Sequence, residues 1–103
     1  MLGMTTLTLE TEPSAEQVTV THDRLIVDLA DGRILSVPLS WYPRLMFASD
    51  AERQNWQILG DGDAIEWTDL DEHIGIEGLL AGRRSGESQK SFQHWLSTRP
   101  SAT

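Results

Sequence analysis

The chain has 103 residues with 16 acidic against 8 basic side chains, a net charge of −8, and no cysteine. This size fits one domain; the missing cysteines exclude disulfides and thiolate metal sites, and the acidic charge argues against direct nucleic-acid binding. Neither a signal peptide nor an apolar run of about 18 residues is present, so we expect a cytoplasmic protein that does not enter membranes.

Residues 1–16 show no clear periodicity and are expected to form a loose lead-in. A period of two then predicts three strands, in which Val18 and Val20, residues 25–29 and residues 35–39 each place apolar side chains on one face. The predicted compact domain spans residues 17–82.

Register follows from keeping apolar residues on one face. A two-residue loop at Asp23-Arg24 would place Val20 opposite Val27 and Val18 opposite Leu29.

For the next hairpin, the three-residue loop Asp31-Gly32-Arg33 pairs Leu29 with Leu35 and Val27 with Val37. Such a loop combines a type I turn with a residue in the left-handed region. The turn can slide by one position to place Gly32 there, because glycine adopts that conformation without steric cost.

Short helices are predicted next. Ser40 can cap a helical turn from Trp41 to Phe47, with Pro43 tolerated only in its first turn. Ser49 and Glu52 have the spacing of a capping box before a second short helix.

A hairpin of residues 56–58 and 65–67 around a Gly-Asp-Gly-Asp loop follows, then a strand at 73–76 and a helical turn at 77–81 ended by Gly82. The predicted fold is α+β: an antiparallel meander of five or six short strands with short helices packed on it, plus a short C-terminal helix.

Residues 83–103 read as a linker, a short helix and a tail. Phe92, Trp95 and Leu96 recur at helical spacing before Arg99-Pro100. A helix this short is not stable alone. It must dock on its own domain, on a second copy in a homodimer, or on a partner.

The sequence carries no complete catalytic or metal-binding motif. His73 beside Asp69, Asp71 and Glu72 is the one local metal possibility, but adjacent residues point in different directions. The start of a calcium loop at Asp61-Gly62-Asp63 lacks its later ligands. We therefore predict no catalytic residues, no metal and no cofactor.

Aromatic and acidic residues of the central segment allow two interpretations. Trp56 and Trp67 are expected in the core. Trp41, Tyr42 and Arg44 fit either a core role or a protein-contact surface, because these residue types dominate binding hot spots. Arg44 can instead pair with Asp71 or Glu72 and fix its loop. The predicted contact residues are Trp41, Tyr42, Arg44, Asp69, Asp71 and Glu72.

A series of motifs over residues 17–82 resembles the small bacterial family of domain of unknown function 2442. The motifs are Leu25-Ile-Val-Asp-Leu-x-Asp-Gly-Arg, Val37-Pro-Leu, Trp41-Tyr-Pro-Arg-Leu, Glu52-Arg-x-x-Trp, Gly60-x-Gly-x-x-Ile-x-Trp, Leu70-Asp-Glu-x-Ile and Gly78-Leu-Leu-x-Gly. The resemblance implies an α+β fold with an antiparallel sheet. It also implies association with another domain or protein: some members precede a helix-turn-helix domain, and others are encoded beside a small protein in apparent toxin–antitoxin pairs.

Three functional hypotheses follow. The first is a protein-binding module, an acidic adaptor or antitoxin-like partner of another small and basic protein. The second is an accessory domain of a transcription regulator that acts near nucleic acid through its basic tail or a partner. The third is a small enzyme or metal-dependent protein.

Overall fold

Two three-stranded antiparallel sheets form the frame of the molecule. The computed structural model describes residues 13–99; the predicted lead-in lies outside them up to residue 12, as do tail residues 100–103. The elements in chain order are β1 (Ala15–Val20), β2 (Arg24–Leu29), β3 (Ile34–Pro38), α1 (Pro43–Met46), α2 (Asp50–Gln54), β4 (Gln57–Leu59), β5 (Ala64–Trp67), β6 (Glu72–Gly75), α3 (Ile76–Leu80) and α4 (Gln89–Ser97). The predicted α+β fold class is thereby confirmed, although the strands form two sheets rather than one.

The first sheet, β1–β3, has the predicted faces but not the predicted register. Val20 pairs with Leu25 and Val18 with Val27, so the expected pairing of Val20 with Val27 was wrong by two residues. The loop is His22-Asp23, one residue earlier than the predicted Asp23-Arg24. The hydroxyl of Thr21 accepts a hydrogen bond from the amide of Arg24 at 2.9 Å and fixes the turn at this position. A slip of two leaves every side chain on the same face, so apolar alternation alone does not detect it.

In the second hairpin, β2–β3, the predicted register is again wrong by two residues, but the turn slides in the way that the sequence allowed. Leu35 pairs with Val27 rather than Leu29. The turn has slid by one position to residues 30–32, and Gly32 adopts a φ of +96°. The amide of Leu29 donates to the carbonyl of Arg33 at 2.8 Å and closes the loop.

The second sheet, β4–β6, joins the first through a main-chain hydrogen bond. The amide of Ala15 donates to the carbonyl of Gly62 at 2.9 Å. Gly62 has a φ of +95°, and a Cβ there would lie 2.6 Å from the Cβ of Ser14 and 2.8 Å from the amide nitrogen of Ala15. Only glycine fits this junction, which supplies a physical reason for the Gly-Asp-Gly-Asp loop.

The short helices follow their sequence signals with one change. Ser49 forms the expected capping box with Glu52 at the start of α2. The helical turn expected from Trp41 to Phe47 is instead split into a 3-10 turn at Leu39–Trp41 and α1, which begins at Pro43. Proline accounts for the break, because it lacks the amide that would continue the turn.

One apolar core lies between the two sheets and the helices. Trp67 is 0% exposed and its indole donates to the carbonyl of Arg53 at 3.0 Å. Trp56 is half-buried against the same core. Trp67 thus fulfils its expected core role.

Helix α4 docks on its own domain, with Ser88 as its N-cap and Phe92 buried. Trp95 and Leu96 are half-buried. Over residues 13–99, the structure contains no helix long and apolar enough to span a membrane.

Candidate protein-binding site

Residues 83–88, which we call the strap, lead from α3 to α4 across the surface of the second sheet. The hydroxyl of Tyr42 donates to the carbonyl of Arg83 at 2.8 Å, and the amide of Ser85 donates to the carbonyl of Trp41 at 3.0 Å. Two neighbouring cavities, of about 290 and 420 Å³, border the strap and share Glu72, His73, Ser85 and Gly86 in their linings. We call this pair of cavities the Glu72 groove.

Arg44 of α1 holds the groove together. Its Nη2 lies 2.6 Å from Oε2 of Glu87 and its Nε lies 3.0 Å from Oε1, so the pair is bidentate. Its Nη1 donates to the carbonyl of Leu70 at 2.8 Å. The hydrogen bond from Arg44 holds the pKa of the Glu87 carboxyl below its ordinary value.

Glu72, the first residue of β6, is placed differently. Its side chain is half-buried, and burial raises the pKa of its carboxyl to about 7; Arg44 opposes the shift, and Glu87 and Asp71 add to it. The charge of Arg44 is directed at Glu87 rather than at Glu72. A carboxylate in this position stays costly to ionise until a cation approaches it.

Four of the six predicted contact residues line the groove: Tyr42, Arg44, Asp71 and Glu72. Tyr42 is only 4% exposed, so its side chain is a core residue and not a contact. Burial, with the Glu72 charge adding to it, raises the pKa of Tyr42 to about 12.

The other two predicted residues lie elsewhere. Trp41 is half-buried beyond the strap, with the guanidinium carbon of Arg84 at 4.9 Å from its ring centroid. Asp69 is exposed and accepts a hydrogen bond from Asn55 at 2.9 Å. The structure therefore does not gather all six residues at one place.

Sequence reasoning expected Arg44 to pair with a nearby acid such as Asp71 or Glu72, and that partner was wrong. The partner is Glu87, which lies 43 residues along the chain. A signal existed, because Glu87 is the one acid among residues 81–103. His73 was considered only as a metal ligand; it is exposed and lines both parts of the groove.

The Glu72 groove is lined by three acids and one histidine: Asp71, Glu72, Glu87 and His73. Among the described residues, no group of three or more His, Asp or Glu side chains is placed to hold one ion. A third cavity, of about 510 Å³, is lined by Pro13, Leu59, Asp63 and Glu77 and also reaches His73.

Around the groove, the second sheet and α3 are acidic throughout. Residues 57–80 contain seven acids and no lysine or arginine. Within residues 13–99, none of these seven carboxylates lies within 4.0 Å of an arginine or lysine nitrogen, and the four arginine ion pairs are all made by other acids. Five of the seven are exposed: Asp61, Asp63, Asp69, Asp71 and Glu77.

Comparison with known proteins identifies the family without naming an activity. The chain is 31% identical to a protein of unknown function from Rhodospirillum rubrum, with a TM-score of 0.65, over 77% of this chain and 98% of that one. An uncharacterised protein from Chromobacterium violaceum shares the fold at 22% identity, with a TM-score of 0.61, over 79% of this chain and 75% of that one. No curated protein is similar enough to count as a match. Residues 15–85 match the profile of the proteins of unknown function called DUF2442, and the chain belongs to that family.

Proposed function

We propose that this protein is a protein-binding module whose acidic second sheet captures a small basic partner. The observation that carries the proposal is the set of seven carboxylates at residues 57–80, none of which forms an ion pair with a lysine or arginine of the described residues. Like charges held close together repel, so such a surface becomes more favourable when an opposite charge covers it.

Within this acidic surface, the Glu72 groove is the place where a cationic side chain of the partner would enter. The carboxyl of Glu72 is costly to ionise in the free protein, and a lysine or arginine side chain entering from a partner would lower that cost. The neighbouring Asp71 is exposed, so a partner can reach it. An antitoxin-like role, which the family resemblance implies, would make the partner a small toxin.

We place this partnership in the cytoplasm, where a chain without cysteine loses nothing to the reducing conditions.

The basic tail gives less support to contact with nucleic acid. Arg99 is paired with Glu52 at 2.6 Å, and Arg84 stacks on Trp41. These contacts use tail cations that a phosphate backbone would need. An enzyme gains no specific support from the groove.

Co-expression with the product of the adjacent gene, followed by size-exclusion chromatography, tests the proposal. The two proteins are expected to elute together at micromolar concentration and to separate as salt is raised, because screening weakens exposed charge pairs. Two separate peaks at low salt would contradict it.

A pair of matched variants locates the surface. Each variant neutralises three acids, so both change the net charge equally. The second-sheet variant carries Asp61→Asn, Asp69→Asn and Asp71→Asn, and the first-sheet control carries Glu16→Gln, Asp23→Asn and Asp28→Asn. We expect co-elution to be lost for the first and kept for the second; equal loss would indicate only non-specific attraction to an acidic protein.

A further inference from the structure

Helix α4 covers a surface that belongs to the family domain. The family match ends at residue 85, before α4 begins at Gln89. The helix therefore lies outside the residues that the family profile matches, whereas the face of α1 and α2 beneath it lies inside them.

Two ion pairs fix the ends of this contact. Glu87, just before α4, pairs with Arg44 of α1 at 2.6 Å. Arg99, just after α4, pairs with Glu52 of α2 at 2.6 Å. Because the two pairs have opposite polarity, a helix lying in the reverse direction would bring like charges together.

Aromatic side chains fill the space between the pairs. The ring of Phe92 meets the ring of Phe47 edge to face, with centroids 5.5 Å apart. The Trp95 ring has two cations nearby, with the guanidinium carbons of Arg44 and Arg99 at 5.2 and 4.6 Å from its centroid. The surface thus accepts an acid, then two aromatic residues three positions apart, then an arginine.

The fit of α4 is incomplete. The helix has nine residues, of which only Phe92 is buried. Phe47 stays 54% exposed and the adjacent Met46 42% exposed with α4 in place. A helix this short depends on docking for its stability, and a docking surface left half open gives it little.

We propose that this face of α1 and α2 is a docking surface for an amphipathic helix, and that α4 is a tethered occupant which an incoming helix displaces. The partner helix carries the same order of acid, two aromatics and arginine, with a further apolar side chain that covers Met46 and Phe47. A short flexible tether acts like a millimolar competitor, so α4 weakens the partner's apparent affinity. The surface shares Arg44 and Glu87 with the Glu72 groove, but none of the seven acids at residues 57–80 forms an ion pair with α4 or the residues that flank it, so either proposal can fail without the other.

A fluorescent peptide with the sequence of residues 86–99 serves as the probe, and its binding to full-length protein is followed by anisotropy. We expect Phe92→Ala in the protein to loosen α4 and tighten peptide binding by about tenfold or more. The control Gln93→Ala, at an exposed position of α4, should bind the peptide as weakly as wild type.

Further arms keep the outcome decisive. A peptide that itself carries Phe92→Ala should not bind, and adding Phe47→Ala to the loosened protein should abolish binding. If the Phe92→Ala protein loses its circular dichroism spectrum, Arg99→Ala replaces it, because that change also removes the ion pair with Glu52. Equal affinity of wild type and loosened variants, or binding that survives Phe47→Ala, would overturn the proposal. A wild-type dimer in size-exclusion would also overturn it, by making the α4 of a second copy the occupant.

Discussion

The first and second sheets are both three-stranded antiparallel meanders, yet they carry charge differently. Residues 15–38 contain four acids and two arginines, whereas residues 57–80 contain seven acids and neither arginine nor lysine. Both sheets bury apolar side chains in the same core. Packing of apolar side chains therefore accounts for both sheets alike, and the acids of the second sheet add nothing to the core; under the proposed function they form the surface that meets the partner.

The mutations with the largest expected effect test whether the two sheets unfold together in one cooperative transition. Trp67→Ala in the second sheet should lower the free energy of unfolding by about 3–5 kcal/mol, and Leu25→Ala in the first by about 2–5 kcal/mol, since both side chains are fully buried. Urea denaturation of both variants should show a single transition. A separate early transition for Trp67→Ala would mean that the second sheet unfolds on its own.

The junction between the sheets comes next in size. Gly62→Ala adds a Cβ at a φ of +95° and 2.6 Å from the Cβ of Ser14, so we expect a loss of about 2–4 kcal/mol. Gly32→Ala in the first sheet has the same kind of backbone angle, +96°, with no atom within 4 Å of the new Cβ. It should cost only about 1–2 kcal/mol. Thermal unfolding that gave equal losses would show that the close approach at Gly62 relaxes freely.

The pH dependence of Glu72 gives a smaller effect. Its pKa is about 7 in the folded protein and 4.5 as the ordinary value. Between these values the folded state binds more protons, so its contribution to stability falls as pH rises from about 4.5 to 7. Glu72→Gln removes this dependence. Between pH 5 and pH 8 the free energy of unfolding of the variant should therefore fall by about 1–2 kcal/mol less than that of the wild type, with allowance for solvent screening.

The control for that profile is Glu16→Gln on β1, where the side chain is exposed. Denaturation curves at pH 5 and pH 8 should show the wild-type difference in this variant. A profile for Glu72→Gln that also matches wild type would contradict the raised pKa.

The smallest effect concerns repulsion within the acidic sheet. Neutralising Asp61, Asp69 and Asp71 should raise the free energy of unfolding by about 0.5 kcal/mol at low salt, and the gain should vanish at high salt. The first-sheet control with Glu16, Asp23 and Asp28 neutralised should gain less, because the first sheet also carries the cations Arg24 and Arg33. Equal gains in chemical denaturation would remove the electrostatic distinction between the sheets.

Apolar alternation was enough to predict which faces of β1 to β3 are buried, since a period of two is a local property. It did not determine the register, because a shift of two residues preserves every face. The register depended on the hydroxyl of Thr21 and the φ of Gly32, which act through single turn residues.

In the candidate site, too, interactions between residues close in the sequence were predictable and those between distant residues were not. Ser49 and Glu52 lie three residues apart, and their capping box was predictable. The pairing of Arg44 with Glu87 spans 43 residues, and only the folded path of the strap brings the two together. Tyr42 was ambiguous because the same residue type serves cores and contact surfaces.

The junction of the sheets uses backbone atoms: the amide of Ala15 on β1 donates to the carbonyl of Gly62, in the loop between β4 and β5. Such bonds are indifferent to the side chains that flank them. Mutations accumulating over generations can therefore rewrite the strap, the acidic surface and α4 while the frame persists. Gly62 is the point at which that freedom stops, because a Cβ there would lie 2.6 Å from the Cβ of Ser14.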